Sequence, residues 1–264
     1  MTRFLKKLYL VLILIFLYAP IATLIVLSFN SSRTRAKWGG FSFKWYVALF
    51  SNRDIMQALY NTILIALISS IVATIIGTIT CIGMRKMSSF SKSTIIGITN
   101  IPMLNADIVT GISLMLLFLS VGIRFGLGTV LLSHITFNIP YVILSVMPRM
   151  RSLNISTYEA AQDLGATRLY AFFKVVFPDL MPGILSGFLL AFTMSLDDFI
   201  ITHFTKGAGI DTLSTKIYTE VKKGIKPEMY ALSTIIFIAV LILLLLINRH
   251  DDNKGEVNSI ITTI

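Results

Sequence analysis

Three carboxylates interrupt long apolar stretches of this sequence, and they are its best candidates for binding a charged ligand. Asp107 lies within one apolar run, and Asp197 and Asp198 lie together in another. An ionised side chain inside hydrocarbon costs at least about 2.5–3.5 kcal/mol, so such residues normally face a helix interior or a water-filled path. Because neither run carries a Lys or Arg, we expect these carboxylates to attract a cation or a partner chain.

Three further side chains are candidates for the same path. Tyr141 and Ser195 offer hydroxyl groups, and Trp45 offers an indole face for a cation–π contact with an ammonium group. Adjacent residues of a helix point about 100° apart, so Asp197 and Asp198 should not have the same role.

Plainer interpretations of the carboxylates stay open at this point. Asp107 is placed to cap a helix after a break at Pro102, with Asn105 as a second capping residue. The two neighbouring Asp residues would be ordinary surface groups if their apolar run ended earlier.

Signatures of catalysis and of metal binding are absent from the sequence. The three His residues (His134, His203 and His250) are scattered, and the single cysteine, Cys81, cannot form an internal disulfide. No zinc-type cluster, zinc-protease, nucleophile-elbow or phosphate-loop pattern occurs. We therefore expect no catalytic residue, metal or cofactor in this chain, and an ATP-driven process would need a separate ATPase chain.

Membrane helices are the elements that must position these groups. Of the 264 residues, 55% are hydrophobic and 14% are charged, and the mean hydropathy of +0.80 excludes an ordinary soluble domain. A bilayer core needs about 20 apolar residues per helix. Such runs occur at about 8–29, 61–82, 95–119, 127–148, 180–203 and 230–248. We predict an all-α polytopic membrane protein, with six transmembrane helices in a single domain over 1–264.

Small residues and prolines predict how some of these helices pack and bend. Gly183, Gly187 and Ala191 recur every four residues, a stripe that lets another helix approach closely. Pro102 and Pro140 lie within or near their runs and should kink or break them.

The net charge of +10 is explained by basic residues in the loops that flank membrane helices, so we expect no nucleic-acid partner. Arg3, Lys6 and Lys7 directly precede the first run, which favours a cytoplasmic N-terminus. That run is longer than the apolar part of a signal peptide, so we interpret it as a retained helix. Six spans then place the C-terminus in the cytoplasm as well.

The polar segment 149–179, between the fourth and fifth runs, has local signals for two short helices. Ser156 and Glu159 have capping-box spacing, and Gly165 is placed to end the helix that they begin. Thr167 is placed to cap a second helix, which Pro178 should terminate at Phe177. We predict a helix–turn–helix on the aqueous side of the membrane.

The spacing within this segment resembles the EAA loop of bacterial type I ABC importer permeases. Glu-Ala-Ala is followed after three residues by Gly, and after nine more by an apolar stretch that ends in Pro. In that family the loop forms a cytoplasmic coupling helix that docks into the ATP-hydrolysing subunit. The resemblance assigns ATPase coupling to Glu159, Ala160, Ala161, Gly165 and Pro178.

The whole chain resembles the spermidine/putrescine (polyamine) permeases within that family, through the segments 28–33, 133–137, 159–165 and 195–198. This resemblance implies a bacterial inner or plasma membrane location in the lipid bilayer and three kinds of protein partner. They are a second homologous permease subunit, an ATP-binding subunit dimer and an extracytoplasmic polyamine-binding protein. Carboxylates in the path agree with a polycationic substrate.

Two other functions stay open. The first is a permease of the same architecture for another cationic solute, such as an opine or a cationic peptide. The second is an ion-coupled secondary transporter that uses the intramembrane Asp residues as its ion site, although no inverted repeat is evident and the EAA-like loop would then have no explanation.

Overall fold

The computed structural model describes residues 3–34, 37–85, 87–224, 226–238 and 241. Across these residues the regular structure is helical, apart from one isolated antiparallel bridge between Asn30 and Phe41, which confirms the all-α prediction. The helices are α1 Arg3–Ser28, α2 Lys44–Ser51, α3 Arg53–Met84, α4 Ser89–Leu104, α5 Asp107–Val121, α6 Leu127–Ser152, α7 Ile155–Asp163, α8 Arg168–Ala171, α9 Phe177–Asp197, α10 Ile200–Thr205, α11 Leu213–Lys223 and α12 Pro227–Ile238.

Among the described residues, four helical stretches are long and apolar enough to cross a bilayer. They are α1, α3, α6 and the continuous stretch Arg168–Asp197, in which a π-helical turn at Phe172–Val176 joins α8 to α9. The pair α4 and α5 gives a fifth span if it is counted as one. The predicted sixth span, 230–248, overlaps α12, but its residues 239–248 other than 241 lie outside the described residues. The count of six therefore stays a prediction.

The predicted third span, 95–119, is not one continuous helix. It consists of α4 and α5, which are bent by 106° relative to each other. Asn105 and Ala106 separate them in extended conformation, with ψ angles of 154° and 138°. Pro102 lacks an N–H donor and its ring opposes the carbonyl four residues earlier, which weakens the helix just before this break. α6, by contrast, continues through Pro140.

The predicted fifth span, 180–203, is also interrupted. α9 ends at Asp197, Asp198 leaves the helix with a ψ angle of 124°, and α10 begins at Ile200. The break therefore lies directly at the two carboxylates that the sequence analysis singled out.

The chain divides into two compact units, of which the larger comprises residues 57–216. Its core lies where α6 packs against α9, and the glycine stripe of α9 faces α6 as predicted. A methyl group added at Gly183 would lie 3.1 Å from the Ser145 carbonyl oxygen, and one added at Gly187 would lie 3.3 Å from Val142 Cα. The buried stripe ends at Ser195. The core cluster consists of Ala73, Cys81, Met84, Val142, Ile143, Val146, Met147, Met150, Val176, Leu180 and Ala191.

The second unit comprises the described residues within 1–56 and 217–264. Its loop between α1 and α2 is organised by Asn30, which is buried. The Asn30 side chain accepts hydrogen bonds from the backbone N–H groups of Ser32 and Gly39 and donates one to the Lys37 carbonyl. Tyr46 in α2 contacts Ser28 through a hydroxyl–hydroxyl hydrogen bond of 2.8 Å.

Candidate functional site

The EAA-like loop forms two helices joined by a tight turn, as the sequence predicted. Gly165 has a φ angle of +89°, a conformation that side chains with a Cβ atom rarely adopt. The N–H of Ala166 donates to the Ala161 carbonyl, and the N–H of Gly165 donates to the Gln162 carbonyl. These two bonds form a Schellman motif, which satisfies carbonyls at the end of α7. Gly165 therefore ends α7 as predicted.

The predicted start of this helix is wrong by two residues. Asn154, not Ser156, caps α7, because its side-chain oxygen accepts a 3.0 Å hydrogen bond from the Ser156 N–H. Asn is at least as good as Ser at this position, and it lies where the chain is still extended, with a ψ angle of 107°. The Glu159 carboxylate is therefore not needed as a reciprocal cap, and this side chain is exposed.

The second helix begins as predicted but does not end as predicted. Thr167 caps α8 by accepting a hydrogen bond from the Tyr170 N–H. The helix then continues through Pro178 into α9. A π-helical turn directly precedes Pro178, and within it the Phe177 N–H donates to the Phe172 carbonyl. In a regular α-helix the Pro178 ring would clash with the Lys174 carbonyl, and the wider π-helical turn relieves this clash.

Several apolar side chains are exposed on the loop between α6 and α9. Leu164 in the turn is 90% exposed. Glu159, Ala160, Gly165 and Pro178 are exposed and Ala161 is half-buried. The exposed apolar side chains beyond the turn are Leu169, Tyr170 and Phe173.

Asp107 is the first residue of α5, directly after the 106° bend, and it is exposed. The helix-capping interpretation is only partly supported, because the residue at the N-cap position is Ala106 and Asn105 ends α4. Tyr141 of α6 is half-buried.

Asp197 and Asp198 differ sharply in environment. Asp197 is the last residue of α9 and is exposed, and in the described part of the chain no hydrogen bond or ion pair engages its carboxylate. The Asp198 side chain is only 8% exposed. It accepts hydrogen bonds from the N–H groups of Ile201 and Thr202, at 3.1 and 2.8 Å, and so caps α10.

A buried polar network surrounds Asp198. His134 of α6 is 1% exposed. Its Nδ1 lies 2.6 Å from the Ser195 hydroxyl, and its Nε2 lies 2.8 Å from the Thr202 hydroxyl and 3.3 Å from Asp198 Oδ2. Ser69 of α3 extends the network, with its hydroxyl 3.2 Å from that of Ser195.

Sequence analysis missed this network, and it was wrong to leave Asp198 without an internal partner. His134 was noted among three scattered histidines and within the segment 133–137, but not as a partner of Asp198, and Thr202 was not considered. The available signal was a titratable side chain inside an apolar run, which is rare unless it has a partner or a function. Ser195 belongs to this buried network and is not on an exposed surface.

Trp45 lies in the smaller unit and is 4% exposed. Its indole N–H donates a 2.6 Å hydrogen bond to the Asn30 carbonyl. The buried ring supports the loop between α1 and α2 and offers little free face to a passing cation.

Residues 73–253 match the model of a protein family described as "binding-protein-dependent transport system inner membrane component". The matched region contains the EAA-like loop, the α9–α10 break and every member of the buried network except Ser69. The chain belongs to this family. It is therefore a permease subunit of a transport system.

Similar proteins of known name are also permease subunits. The chain is 37% identical, over 98% of both chains, to the spermidine/putrescine transport system permease protein PotC of Escherichia coli (strain K12). It is 39% identical to the putrescine transport system permease protein PotI of the same organism, over 85% of this chain and 83% of PotI.

Two solved structures have the same fold. One is a bacterial ABC transporter involved in the import of the acidic polysaccharide alginate, with a TM-score of 0.71 and 15% identity over 93% of this chain and 95% of that chain. The other is a bacterial alginate ABC transporter in complex with its pentasaccharide-bound periplasmic protein, with a TM-score of 0.72 and 18% identity over 93% and 91%. At these identities the likeness describes the fold alone. No cluster of His, Cys, Asp and Glu suited to a metal ion occurs among the residues that the structure describes.

Proposed function

We propose that this permease subunit forms half of the translocation path of an ATP-driven importer of polyamines, spermidine or putrescine. The observation that carries the proposal is the 37% identity to PotC over 98% of both chains. The aligned region contains Asp107, Asp197 and the coupling loop, which are the residues that would contact the substrate and the ATPase.

The placement of the two exposed carboxylates supports a cationic substrate. Asp197 lies at the C-terminal end of α9, where the helix dipole is negative and adds to the carboxylate charge. Interrupted helices whose carbonyl ends point at a cation are a common way of building transport sites in membranes. Asp107 lies at the N-terminal end of α5, where the dipole partly offsets its charge, so Asp197 is the stronger candidate for an ammonium group.

Tyr141 adds a hydroxyl group and a ring face for the same ammonium path. Ser195 contributes through the buried network. Trp45 contributes by holding the loop between α1 and α2.

The exposed apolar loop supports coupling to a separate ATPase. Exposed Leu164 lies in the turn that ends α7, and exposed Leu169 and Tyr170 lie in α8 just beyond it. The Schellman turn and the Asn154 cap hold α7 in shape. A rigid helix with exposed apolar side chains is suited to insertion into a groove of a partner protein. In this proposal Glu159, Ala160, Ala161, Gly165 and Pro178 form the coupling segment that meets the ATP-binding subunit.

The complete importer would contain this subunit, a second homologous permease subunit, an ATP-binding subunit dimer and an extracytoplasmic polyamine-binding protein. The chain would cross the membrane six times as one domain, with both termini in the cytoplasm. ATP binding would close the two ATPase subunits, and the coupling helices would transmit that motion to the spans and open the path outward.

Reconstituted transport tests this function directly. The chain would be produced together with an ATPase, a second permease subunit and a binding protein from the same organism, and the complex placed in proteoliposomes containing ATP. We expect uptake of labelled spermidine or putrescine that stops when ATP is omitted. A preference for arginine or for a cationic peptide would favour the alternative of another cationic solute, and ATP-independent uptake driven by an ion gradient would contradict the ABC mechanism.

A further inference from the structure

The α9–α10 break is held from both sides by one buried imidazole. His134 contacts Ser195 in the last turn of α9 through Nδ1, and it contacts Thr202 in α10 through Nε2. Both contacts are shorter than 3 Å, and Ser195, His134 and Thr202 are all buried. The imidazole therefore links α6 to the two helix ends that flank the pair of carboxylates.

The hydrogen bonds assign the proton on His134 Nε2. The Thr202 hydroxyl donates its only proton to Asp198 Oδ2, at 2.8 Å. Its oxygen can then only accept from His134, so Nε2 carries a hydrogen and also points to Asp198. On the other side of the ring, Ser195 and Ser69 are both hydroxyl groups and can orient to match Nδ1.

The Asp198 carboxylate is fully engaged inside the protein. Oδ1 accepts from the Ile201 N–H, and Oδ2 accepts from the N–H and hydroxyl of Thr202 and faces His134. A substrate ammonium would have to displace several of these donors from a buried group, at a large desolvation cost. Asp197, one residue earlier, has none of these engagements and is exposed.

We propose that His134 is a positioning residue which, with Ser195, Asp198 and Thr202, forms a latch that fixes the α9–α10 break and so presents Asp197 to the substrate. The latch gives Asp198 and Ser195 a role without substrate contact. The proposal rests on the proposed function for the identity of the cation at Asp197, but the geometry of the latch does not depend on it.

The latch also supports Asp107, because α10 packs against the helix that begins at Asp107. Helix α10 packs against α5, where a methyl group added at Gly111 would lie 3.1 Å from the Phe204 ring and 3.5 Å from Ile201 Cα. Gly111 is one turn from Asp107 in the same helix. Fixing the start of α10 therefore also supports the helix that begins at Asp107.

A double-mutant cycle between His134 and Asp198 tests the latch in the reconstituted complex. His134→Gln and Asp198→Asn each remove one partner, and each should lower the rate of spermidine uptake by about tenfold, because a bond to a charged group is lost. If the two residues act as one unit, the double variant loses no more than the worse single variant. Asp197→Asn combined with Asp198→Asn should lose less than the product of the two single effects, because Asp198 acts on uptake by presenting Asp197.

A milder substitution and its control test the latch if the substitutions above prevent folding. Thr202→Val keeps the shape of the side chain but removes the hydroxyl between His134 and Asp198. Thr136→Val is the matched control, because the Thr136 hydroxyl donates only to the Leu132 carbonyl of its own helix. We expect Thr202→Val to lower uptake severalfold and to be non-additive with His134→Gln, and Thr136→Val to leave uptake unchanged.

Two results would overturn the latch while leaving the proposed function intact. One is a double variant of His134 and Asp198 that loses the product of the single effects, and the other is normal uptake by Thr202→Val. If the unsubstituted complex imports no polyamine, the proposed function fails instead. The same cycle is then measured on ATP hydrolysis stimulated by the binding protein, and additivity there would overturn the latch separately.

Discussion

Asp197 and Asp198 are consecutive residues whose carboxylates have opposite environments. Asp197 is exposed at the end of α9, whereas the Asp198 side chain is 8% exposed and caps α10 beside His134. The break in the helix produces this difference, because the backbone turns between the two residues. One carboxylate is therefore free to meet a ligand while its neighbour holds the helix ends.

The first prediction concerns the two exposed carboxylates. Asp107→Asn and Asp197→Asn remove a charge with almost no change in shape, and each should lower spermidine uptake by about tenfold or more, the loss expected for one charge-assisted contact. Asp179→Asn is the control, since Asp179 is likewise an exposed carboxylate in the first turn of a helix. Uptake would be measured at matched membrane expression. Near-normal uptake by both path variants would leave these residues without a role in the cation path.

A second prediction concerns the turn of the coupling loop. Gly165→Val forces a β-branched residue into a left-handed conformation, at a cost of about 1–2 kcal/mol or more. We expect the variant to insert normally but to lose substrate-stimulated ATP hydrolysis. Gly165→Asn should retain more stimulation, because Asn tolerates this conformation better. Equal, normal stimulation in both variants would show that the shape of this turn does not matter for coupling.

Helix packing gives a third prediction. In Gly183→Ala the new methyl group would lie 3.1 Å from the Ser145 carbonyl oxygen and 2.9 Å from Arg149 Cγ, which should push α9 from α6 and destabilise the protein by about 1–3 kcal/mol. Gly97→Ala in α4 is the matched control, since nothing lies within 4 Å of the added methyl group. Thermal unfolding of the purified complex in detergent measures both. A Gly183→Ala midpoint as high as that of the control would argue against tight contact between the helices.

Because Trp45 is buried, we predict that it has a structural role and does not bind substrate. Trp45→Phe keeps an aromatic ring but loses the hydrogen bond to the Asn30 carbonyl, which should lower stability by about 1 kcal/mol. We expect a lower unfolding temperature with little change in the uptake rate of the folded protein. A large loss of uptake at unchanged stability would instead restore Trp45 as a cation-binding ring.

Topology is tested by thiol labelling in a Cys81→Ser background. Lys222→Cys should react with a membrane-impermeant reagent added outside, whereas Leu169→Cys should react only after the membrane is opened. Both side chains are exposed in the structure, so a difference in labelling reports the side of the membrane. Leu169 is preferred to Thr167 because the Thr167 side chain caps α8. Labelling of Leu169→Cys from outside would reverse the orientation and contradict the coupling role of the loop.

The sequence by itself determined the features that depend on neighbouring residues. Long apolar runs are read directly from composition, and they predicted an all-α membrane protein. The turn at Gly165 and the cap at Thr167 were predicted because both need only a few adjacent residues. The glycine stripe of α9 was predicted because a four-residue repeat stays on one face of a helix. Small errors remained where two local signals competed, as between Asn154 and Ser156.

Only the tertiary structure decided which polar groups are free and which are engaged. His134 and Ser195 are 61 residues apart in sequence, and His134 and Thr202 are 68 apart, so no local pattern links them. They meet because Gly183, Gly187 and Ala191 let α9 approach α6 closely and carry Ser195 to the imidazole. The packing thereby fixes Asp198 as a buried cap and leaves Asp197 exposed. Hydropathy and helix propensity depend on the residues of one segment, whereas the hydrogen-bond partner of a side chain depends on which other segments pack against it.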